Sequence, residues 1–499
     1  MSSSYRQILK SSALIGGSSI INVLLGVVRT KVMAVLIGTE GMGLFGAFSS
    51  VTALVGGIAG MGINTSGVRQ IAAAMASNDP QRTARTIVTI RRAAFFLGSL
   101  GMLSLLALSK PIAQATFGNP QQALALALLS VTILCSAVTA GQTALLQGHR
   151  RIGDLAALNV WGSVFGTAIS IPLIFLLRAQ GIVPVLVAVS ALALLTSWWY
   201  ARRVKTPRIT LCWSEFCTEL RSLVGLGMVF MSAGLMMSAV SYLTRVLVIH
   251  QMSLEASGLY QAAWTLSSVY VGFILSAMGA DYYPRLTAVA NDHKLVDRLV
   301  NEQTEVSLLL ALPGVLGTLA FAPGVLHLLY SPHFAPAAEI VRWQTLGVLG
   351  RVITWPMGFV VLAKGCARTF LWMEIASNLL HLGFIWLGLR WFGLRGLGLA
   401  FFGLYVFYGF LVFAVVRKLV GFHWTVSNAR LIAAGLLLGT LVLFLTSGIL
   451  PQSLGVALSG IVFLATCFYS MQRLGQILGC PLPLLLAEKL RARFRIAAA

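Results

Sequence analysis

Charged residues are scarce in this sequence. Asp, Glu, Lys and Arg together make up 10% of its 499 residues, whereas about a quarter is usual for soluble domains. The apolar set A, V, I, L, M, F, W, Y and C accounts for 58%, and the mean hydropathy is +0.86. Too little polar surface is available to keep a globule of this size in water, which excludes a soluble enzyme.

Polar interruptions are also few, so the apolar residues form long continuous runs, which excludes a transmembrane barrel. A spanning helix needs about 20 mostly apolar residues, and 58% of 499 residues would supply roughly fourteen. We therefore predict an all-α integral membrane protein with about fourteen transmembrane helices. The first run resembles a signal peptide, but it continues to Gly38 without a cleavage site, which predicts an uncleaved helix. The predicted centres are Leu24, Leu54, Leu100, Val131, Thr167, Ala191, Leu235, Val271, Val315, Gly350, Gly383, Leu404, Leu437 and Ile461.

Acidic residues are the rarer charged class, with 14 against 36 basic residues, and the net charge is +22. In a soluble protein this excess would indicate a nucleic-acid partner, but cytoplasmic loops of membrane proteins carry excess Lys and Arg for topological reasons. With the N-terminus placed in the cytoplasm, 27 of the 36 basic residues fall in inside segments. Four fall in outside loops, namely Lys110, Arg178, Arg390 and Arg395. The pattern predicts two cytoplasmic termini and no nucleic-acid partner.

Several chemical motifs are missing as well. The phosphate-binding sequence G-x-x-x-x-G-K-[ST] does not occur, so ATP hydrolysis is not expected. The predicted outer loops contain only Glu40, Glu255 and Glu339 as carboxylates, widely spaced, which disfavours a membrane glycosyltransferase. None of the six cysteines has a partner in an outer loop for a disulfide. We expect no enzyme, no cofactor and no metal site.

The chain carries a weak internal repeat at an offset of about 215 residues. The offset aligns EGMGLF at 40–45 with EASGLY at 255–260, so Gly43 falls on Gly258, and Arg29 falls one residue from Arg245. Further matches follow in the same order at nearly the same offset, although each is short. The alternative is that shared hydropathy alone produced the offset. A repeat of six helices places both copies in the same orientation, as in transporters that rock two lobes around a central site.

The repeat predicts four parts. Residues 1–210 form an N-lobe of six helices, 211–420 a C-lobe of six helices, and 421–475 two appended helices. Residues 476–499 form a basic amphipathic cytoplasmic tail, because 484–496 place apolar and basic residues on opposite faces. A second amphipathic segment is predicted at 285–305.

Five basic residues interrupt the apolar runs, and each costs roughly 2.5–3.5 kcal/mol at a helix centre. Arg29 and Lys31 lie in the first predicted span, and Arg245 lies at a similar depth in the seventh. If the repeat holds, Arg29 and Arg245 approach each other, and two guanidinium groups suit a phosphate or diphosphate. The alternative is that these side chains extend to the membrane interface, which is favoured for Lys31.

The tenth predicted span contains the other two, Arg342 and Arg351. They are nine residues apart, about 180° of helical rotation, so a straight helix cannot direct both into one cavity. Arg351 is the deeper residue and is predicted to face the cavity, while Arg342 is predicted at the interface. These five basic residues are the candidate substrate-binding set.

The eleventh predicted span carries one polar stripe. Glu374, Asn378 and His381 are spaced i, i+4 and i+7, so they share one face of a helix. A carboxylate and an imidazole together can pass or store a proton, which makes proton coupling a hypothesis. The alternatives are that Glu374 offsets a neighbouring arginine or lies at the headgroups.

Short motifs in a fixed order resemble those of the Wzx-type polysaccharide flippases of the multidrug/oligosaccharidyl-lipid/polysaccharide exporter superfamily. They are KVMAVLIGTEGMGL at 31–44, GVRQIAA at 67–73, YYPRL at 282–286, WQTLG at 343–347 and VLAK at 361–364. The resemblance covers about residues 5–418. Within this superfamily, the sequence closely resembles the translocases of O-antigen and enterobacterial common antigen units. Many such flippases have twelve helices, so the last two predicted helices depart from the family pattern.

The resemblance implies an alternating-access transporter that moves undecaprenyl-diphosphate-linked oligosaccharide from the cytoplasmic to the periplasmic leaflet of the bacterial inner membrane. It implies membrane lipids as neighbours and a polysaccharide polymerase and chain-length regulator as partners. A lipid II flippase stays an alternative, because extra C-terminal helices there line a groove for the lipid tail. A drug or cation exporter would use embedded carboxylates, of which Glu374 is available in mid-run. A non-transporting scaffold of a polymerisation complex would need no charge in a cavity.

Overall fold

The computed structural model describes residues 3–77, 79–204, 209, 211–447 and 451–477, and within these residues the chain is helical, without a strand. The all-α prediction is thereby confirmed. In chain order the helices are α1 (Ser3–Gly60), α2 (Ile63–Ala76), α3 (Pro80–Ala107), α4 (Ser109–Phe117), α5 (Ala123–Gly148), α6 (Ile152–Leu177), α7 (Ile182–Ala201), α8 (Trp213–Gln251), α9 (Leu254–Ala288), α10 (His293–Leu329), α11 (Ala337–Ala363), α12 (Ala367–Phe392), α13 (Leu394–Val420), α14 (Val426–Leu445) and α15 (Gln452–Ile477).

Ten segments of the described chain are long and apolar enough to cross a membrane. All fourteen predicted centres lie in α-helices, but two of the ten segments, 17–76 and 152–201, each run through two helices. The number fourteen therefore stays a prediction. Large apolar side chains cover the outside of the helices, and Leu176 and Phe410 are each 74% exposed. Apolar surface on this scale is stable against lipid tails and would be costly in water.

Helix α1 contains the first two predicted spans and is kinked between them at Gly38. This residue has φ 67° and ψ −166°, a conformation that only glycine adopts at low cost. Nothing lies within 4 Å of the position that a Cβ would occupy there. The kink therefore depends on the backbone freedom of glycine and not on crowding.

The described residues of Met1–Leu259, together with Leu329–His333, form one compact unit. Its buried side chains include Ile71 of α2, Ile87 of α3, Leu145 of α5 and Phe216 of α8 in a single cluster. Since α8 contributes Phe216 to this core, the seventh predicted span packs with the first six within the unit. The predicted lobe boundary at 210/211 stays a prediction.

Reciprocal backbone contacts join α1 to the start of α9 inside this unit. A Cβ on Gly43 would collide with the carbonyl oxygen of Leu254, and a Cβ on Gly258 would collide with that of Thr39. The Thr39 hydroxyl also donates a hydrogen bond to Glu255 Oε1 at 3.1 Å. Thr39 and Leu254, like Gly43 and Gly258, are 215 residues apart. The contact thus joins pairs of residues that the repeat aligns, and the repeat itself stays a prediction.

The described residues of Tyr260–Leu328 and Phe334–Ala499 form the second compact unit. Its largest cluster joins Leu312 and Leu316 of α10, Leu349 of α11, Phe401 of α13 and Leu431 of α14. The two helices predicted as an appendage are thus packed into the core of this unit.

Small residues and one ion pair hold those two helices. A Cβ on Gly435 of α14 would lie 2.8 Å from Leu312 Cδ2, so α14 approaches α10 closely. On α15, Phe463 meets Phe321 edge to face at 5.9 Å, and Arg473 pairs with Glu305 at 3.1 Å.

The structure describes only one of the two predicted amphipathic segments. Residues 285–305 are not a separate surface helix, because α9 continues to Ala288 and α10 begins at His293. Val296 and Val300 on the first turns of α10 are fully buried, so this stretch is the packed end of a long helix. Of the predicted basic tail at 476–499, residues 478–499 lie outside the described residues, including the amphipathic stretch 484–496.

Candidate functional site

A cavity of about 620 Å³ lies inside the first unit, between the second half of α1, α5 and α7. Small side chains leave the space, and none of its lining residues is charged or aromatic. Seven of the lining residues carry a hydroxyl group: Ser49, Thr52, Thr132, Ser136, Thr139, Thr143 and Ser190. The cavity is therefore uncharged, and most of its wall is apolar with single hydroxyl groups set in it.

The hydroxyl groups in the cavity wall are partly engaged with their own helices. Thr52 donates to Phe48 O at 3.0 Å, and Ser136 donates to Ile133 O at 3.0 Å. Thr143 and Ser190 bond in the same way to carbonyls three residues back. Each such oxygen retains lone pairs that can accept a hydrogen bond from a ligand. The oxygens that reach the cavity are thus chiefly acceptors, set in an otherwise apolar wall.

Two of the lining helices are joined next to this wall. The Ser197 hydroxyl of α7 donates to Gln142 Oε1 of α5 in a buried, short hydrogen bond. Gln142 immediately precedes Thr143, which lines the cavity. A buried bond of this type holds the lining faces of α5 and α7 in a defined rotation.

Arg29 does not line this cavity but lies close to it. Gly166 of α6 lies between Arg29 and the cavity wall. A Cβ built on Gly166 would lie 3.9 Å from Arg29 Nη1 and 3.6 Å from Val189. Val189 is one of the residues that line the cavity. The Arg29 side chain is half-buried, and within the described residues no carboxylate pairs with it. A half-buried guanidinium without a carboxylate can accept an anionic ligand.

The other basic residues predicted for the first unit are Lys31 and Arg245. Lys31 is half-buried on α1. Arg245 of α8 is only 6% exposed, and its Nη1 donates to Ser241 O at 2.9 Å and to Ser241 Oγ at 2.5 Å. The arginine is thus held by its own helix one turn back. Joint binding of one ligand by Arg29 and Arg245 stays a prediction.

In the second unit, Arg351 and Glu374 lie around two tyrosines. The Tyr408 hydroxyl of α13 donates to Glu374 Oε1 of α12 at 3.3 Å. Arg351 of α11 and Glu374 both interact electrostatically with Tyr405. Three helices therefore contribute to one polar cluster in an otherwise apolar bundle.

The three residues of the predicted polar stripe on α12 have different surroundings. The Asn378 side chain donates to the carbonyl oxygen of Glu374 at 2.7 Å, which ties it to its own helix. His381 is 7% exposed and packs edge to face on Phe401, with ring centroids 6.0 Å apart. Glu374 alone of the three bonds a side chain from another helix.

Arg342 belongs to a charge cluster at the first turns of α11 and α13. Arg395 Nε donates to Glu339 Oε2 at 2.5 Å, and Arg342 interacts electrostatically with both residues. The buried Arg342 Nε has no hydrogen-bond partner in the described part of the chain. The predicted interfacial position of Arg342 stays a prediction.

Sequence reasoning missed the hydroxyl-lined cavity, although a signal was present. Thr132, Ser136, Thr139 and Thr143 are spaced i, i+4, i+7 and i+11 and mark one face of the apolar helix α5. Tyr405 and Tyr408 had no comparable signal, because aromatic residues are common in membrane helices.

The chain is similar to known proteins over most of its length. It is 25% identical over 390 residues to the lipid III flippase of Escherichia coli strain K12, covering 75% of this chain and 90% of that protein. A solved inward-facing MATE family transporter of the MOP superfamily shares the fold with a TM-score of 0.69 at 15% identity, covering 80% of this chain and 94% of its own. The lipid II flippase MurJ in an inward closed conformation has a TM-score of 0.68 at 13% identity, covering 94% and 100%.

The chain therefore shares the fold of these two transporters, and it is a multi-pass membrane protein. A family model described as "Polysaccharide biosynthesis protein" matches residues 32–339. Since this match spans more than half of the sequence, the chain belongs to the polysaccharide biosynthesis protein family.

Proposed function

We propose that this chain is a flippase for a lipid-linked saccharide. It moves an undecaprenyl-diphosphate-linked oligosaccharide, an O-antigen unit or a similar repeat unit, from the cytoplasmic to the periplasmic leaflet by alternating access. The observation that carries the proposal is Arg29, a half-buried guanidinium without a carboxylate partner in the described chain, close to a neutral cavity. The planar guanidinium matches the oxygens of a diphosphate in pairs, and the lipid III flippase is a relative.

The remaining predicted site residues have secondary parts in this proposal. Arg245 and Arg351 add positive charge along the path of the diphosphate, and Lys31 and Arg342 attract the anionic lipid near the membrane surface. Glu374, with Asn378 and His381 on the same helix, is assigned to proton coupling. The hydrogen bond from Tyr408 to Glu374 supports a role for this carboxylate between two helices.

The proposal includes location and partners. The chain lies in the bacterial inner membrane with both termini in the cytoplasm, because that orientation places 27 basic residues inside. It transports without chemical conversion, so it is not an enzyme. A polysaccharide polymerase and a chain-length regulator receive its product at the periplasmic face.

Two alternatives have specific support. A lipid II flippase is supported by the 94% coverage of this chain by MurJ, which extends over a larger share of the chain than the lipid III flippase does. A drug or cation exporter is supported by the fold of the MATE transporter, but the cavity in the first unit has no carboxylate to attract a cation. The proposed saccharide-lipid substrate fits the basic and neutral groups better.

Gene deletion in the source bacterium tests the proposal. We expect lipid-linked oligosaccharide to accumulate on the cytoplasmic leaflet and surface polysaccharide to fall, with both restored by the wild-type chain. Arg178→Ala, at an exposed arginine in the short 3-10 turn that follows α6, is a control that should restore both. Normal surface polysaccharide without accumulation would overturn the proposal, and accumulation of peptidoglycan precursor alone would favour the lipid II alternative.

A further inference from the structure

The cavity in the first unit has a chemistry that neither an anion nor a cation requires. Its lining contains seven hydroxyl groups, no charged side chain and no aromatic ring. The volume of about 620 Å³ lies within the range of about 300–1,000 Å³ usual for ligand pockets. A ligand group that fits here is compact and uncharged, with hydroxyl donors for the wall oxygens and carbon–hydrogen faces for the apolar surface between them.

We infer that this cavity binds the sugar nearest the diphosphate, while Arg29 beside it holds the diphosphate. This inference rests on the proposed function and names the part of the substrate that each group recognises. The two sites are adjacent, because Gly166 lies next to both of them. A Cβ built on Gly166 would be within 4 Å of Arg29 Nη1 and within 4 Å of Val189, which lines the cavity. In a glycosyl diphosphate the sugar is likewise bonded directly to the phosphate.

The hydrogen-bonding capacity of the wall matches a sugar. Ser136 is exposed to the cavity and donates to Ile133 O, so its oxygen is available as an acceptor. Thr143 and Ser190 are oriented in the same way by bonds to Ala140 O and Val187 O. Sugar hydroxyl groups can donate to all three.

The absence of charged and aromatic groups also sets the strength of binding. Without stacking on a ring, the sugar gains only hydrogen bonds that replace bonds to water, and these contribute little net affinity. We expect the sugar to tighten binding about tenfold relative to the diphosphate lipid alone. Weak binding of this kind suits a transporter, which must release its substrate on the other side.

The test measures affinity for two lipids with the full chain in nanodiscs. The probes are undecaprenyl diphosphate and the same lipid carrying one N-acetylglucosamine. The wild type should bind the sugar lipid about tenfold more tightly. In the triple variant Ser136→Ala, Thr143→Val and Ser190→Ala, the ratio of the two dissociation constants should fall to about one, with binding of undecaprenyl diphosphate unchanged.

Three further variants separate the contribution of the cavity to lipid binding from that of Arg29. Ala53→Leu fills the cavity without removing a hydroxyl and should also abolish the ratio. Thr89→Val removes a buried hydroxyl of α3 that lies outside the cavity. Like the hydroxyl of Thr139, it has no hydrogen-bond partner in the described chain. This control variant should leave the ratio of the two dissociation constants at about ten. Arg29→Ala should weaken binding of both lipids by the same factor.

The outcomes distinguish the inference from the proposed function. A tenfold ratio that survives in both the triple variant and Ala53→Leu overturns the inference, and so does a wild-type ratio of one. In either case transport of the sugar lipid across reconstituted vesicles would leave the proposed function standing. If the wild type neither binds nor transports the sugar lipid, the proposed function itself fails.

Discussion

At the scale of single residues, Glu374 is a carboxylate within the apolar helix α12 that is bonded to a second helix. Tyr408 donates to it at 3.3 Å, so a change in its charge would be felt by α13 as well as α12. A proton carrier must lose and regain its charge in each transport cycle. The carboxylate is therefore the group to test for coupling.

Glu374→Gln keeps the size and one acceptor oxygen of the side chain but cannot titrate. We expect transport of the sugar lipid into reconstituted vesicles to slow about tenfold and to lose its dependence on an imposed pH gradient. Glu219→Gln, an exposed glutamate of α8, should behave as the wild type. Unchanged gradient dependence in Glu374→Gln would contradict the proton-coupling assignment.

Asn301 is a residue on which the local structure depends. Its side chain donates to His423 O at 3.0 Å, and its Oδ1 accepts from Thr425 N and from Asn428 Nδ2, both at 3.0 Å. It is 4% exposed. One buried amide thus anchors the α13–α14 loop to α10.

Asn301→Ala should destabilise the protein by about 2–4 kcal/mol, because it leaves the buried amide of Asn428 and two partly buried backbone groups without their partner, and a buried group without a partner costs about 1–3 kcal/mol. Thermal unfolding in detergent, followed by intrinsic fluorescence, measures the change. Asn291→Ala, at an exposed position between α9 and α10, is the matched control and should have little effect. An equal unfolding temperature for both variants would show that the buried amide is dispensable.

At the scale of helices, the crossing of α1 and α9 is fixed by two glycines. A side chain on Gly43 would meet the carbonyl of Leu254, and one on Gly258 would meet that of Thr39. Backbone atoms cannot move aside as a flexible side chain can, so the helices must separate.

Gly43→Ala and Gly258→Ala should therefore each lower the stability of the first unit by about 1–3 kcal/mol, the usual range for overpacking. Gly26→Ala on the same helix α1, where nothing lies within 4 Å of the added Cβ, should be neutral or slightly stabilising, because alanine favours a helix. The measurement is thermal unfolding of each variant in the same detergent. Equal effects at Gly26 and Gly43 would refute the packing argument.

The repeat illustrates what sequence can predict at this scale. The alignment of Gly43 with Gly258 follows from the residues alone, because it needs only their order and spacing. Their mutual contact required the structure, since spacing along the chain does not determine which helices cross. The same holds for Glu339 and Arg395, which sequence placed in separate outer loops and the structure pairs at 2.5 Å.

At the scale of the whole molecule, orientation in the membrane is the main prediction from charge. Both Cys212 and Cys217 are exposed and lie in a segment that the distribution of basic residues places in the cytoplasm. A membrane-impermeant maleimide should therefore label them in inverted vesicles and leave them unlabelled in spheroplasts.

The quadruple variant Cys212→Ser, Cys217→Ser, Cys366→Ser and Cys480→Ser removes every cysteine that the charge distribution places in the cytoplasm, and it should lose the signal. Restoring Cys212 and Cys217 should restore the signal. In that background Lys110→Cys, in a predicted outer loop, should give the opposite pattern, with labelling in spheroplasts. Labelling of Cys212 and Cys217 from the outside would reverse the orientation and place both termini in the periplasm.

The sequence by itself determined that this protein is an all-helical membrane protein. Scarce charge and long apolar runs leave no other stable state, because a backbone in lipid must satisfy its hydrogen bonds within each helix. It also singled out Arg29, since a charge in an apolar run is conspicuous whatever surrounds it. Only the tertiary structure decided that Arg29 lies beside a hydroxyl-lined cavity and that Glu374 meets Tyr408. Those relations depend on how each helix is rotated and packed against its neighbours, which hydropathy along one chain does not encode.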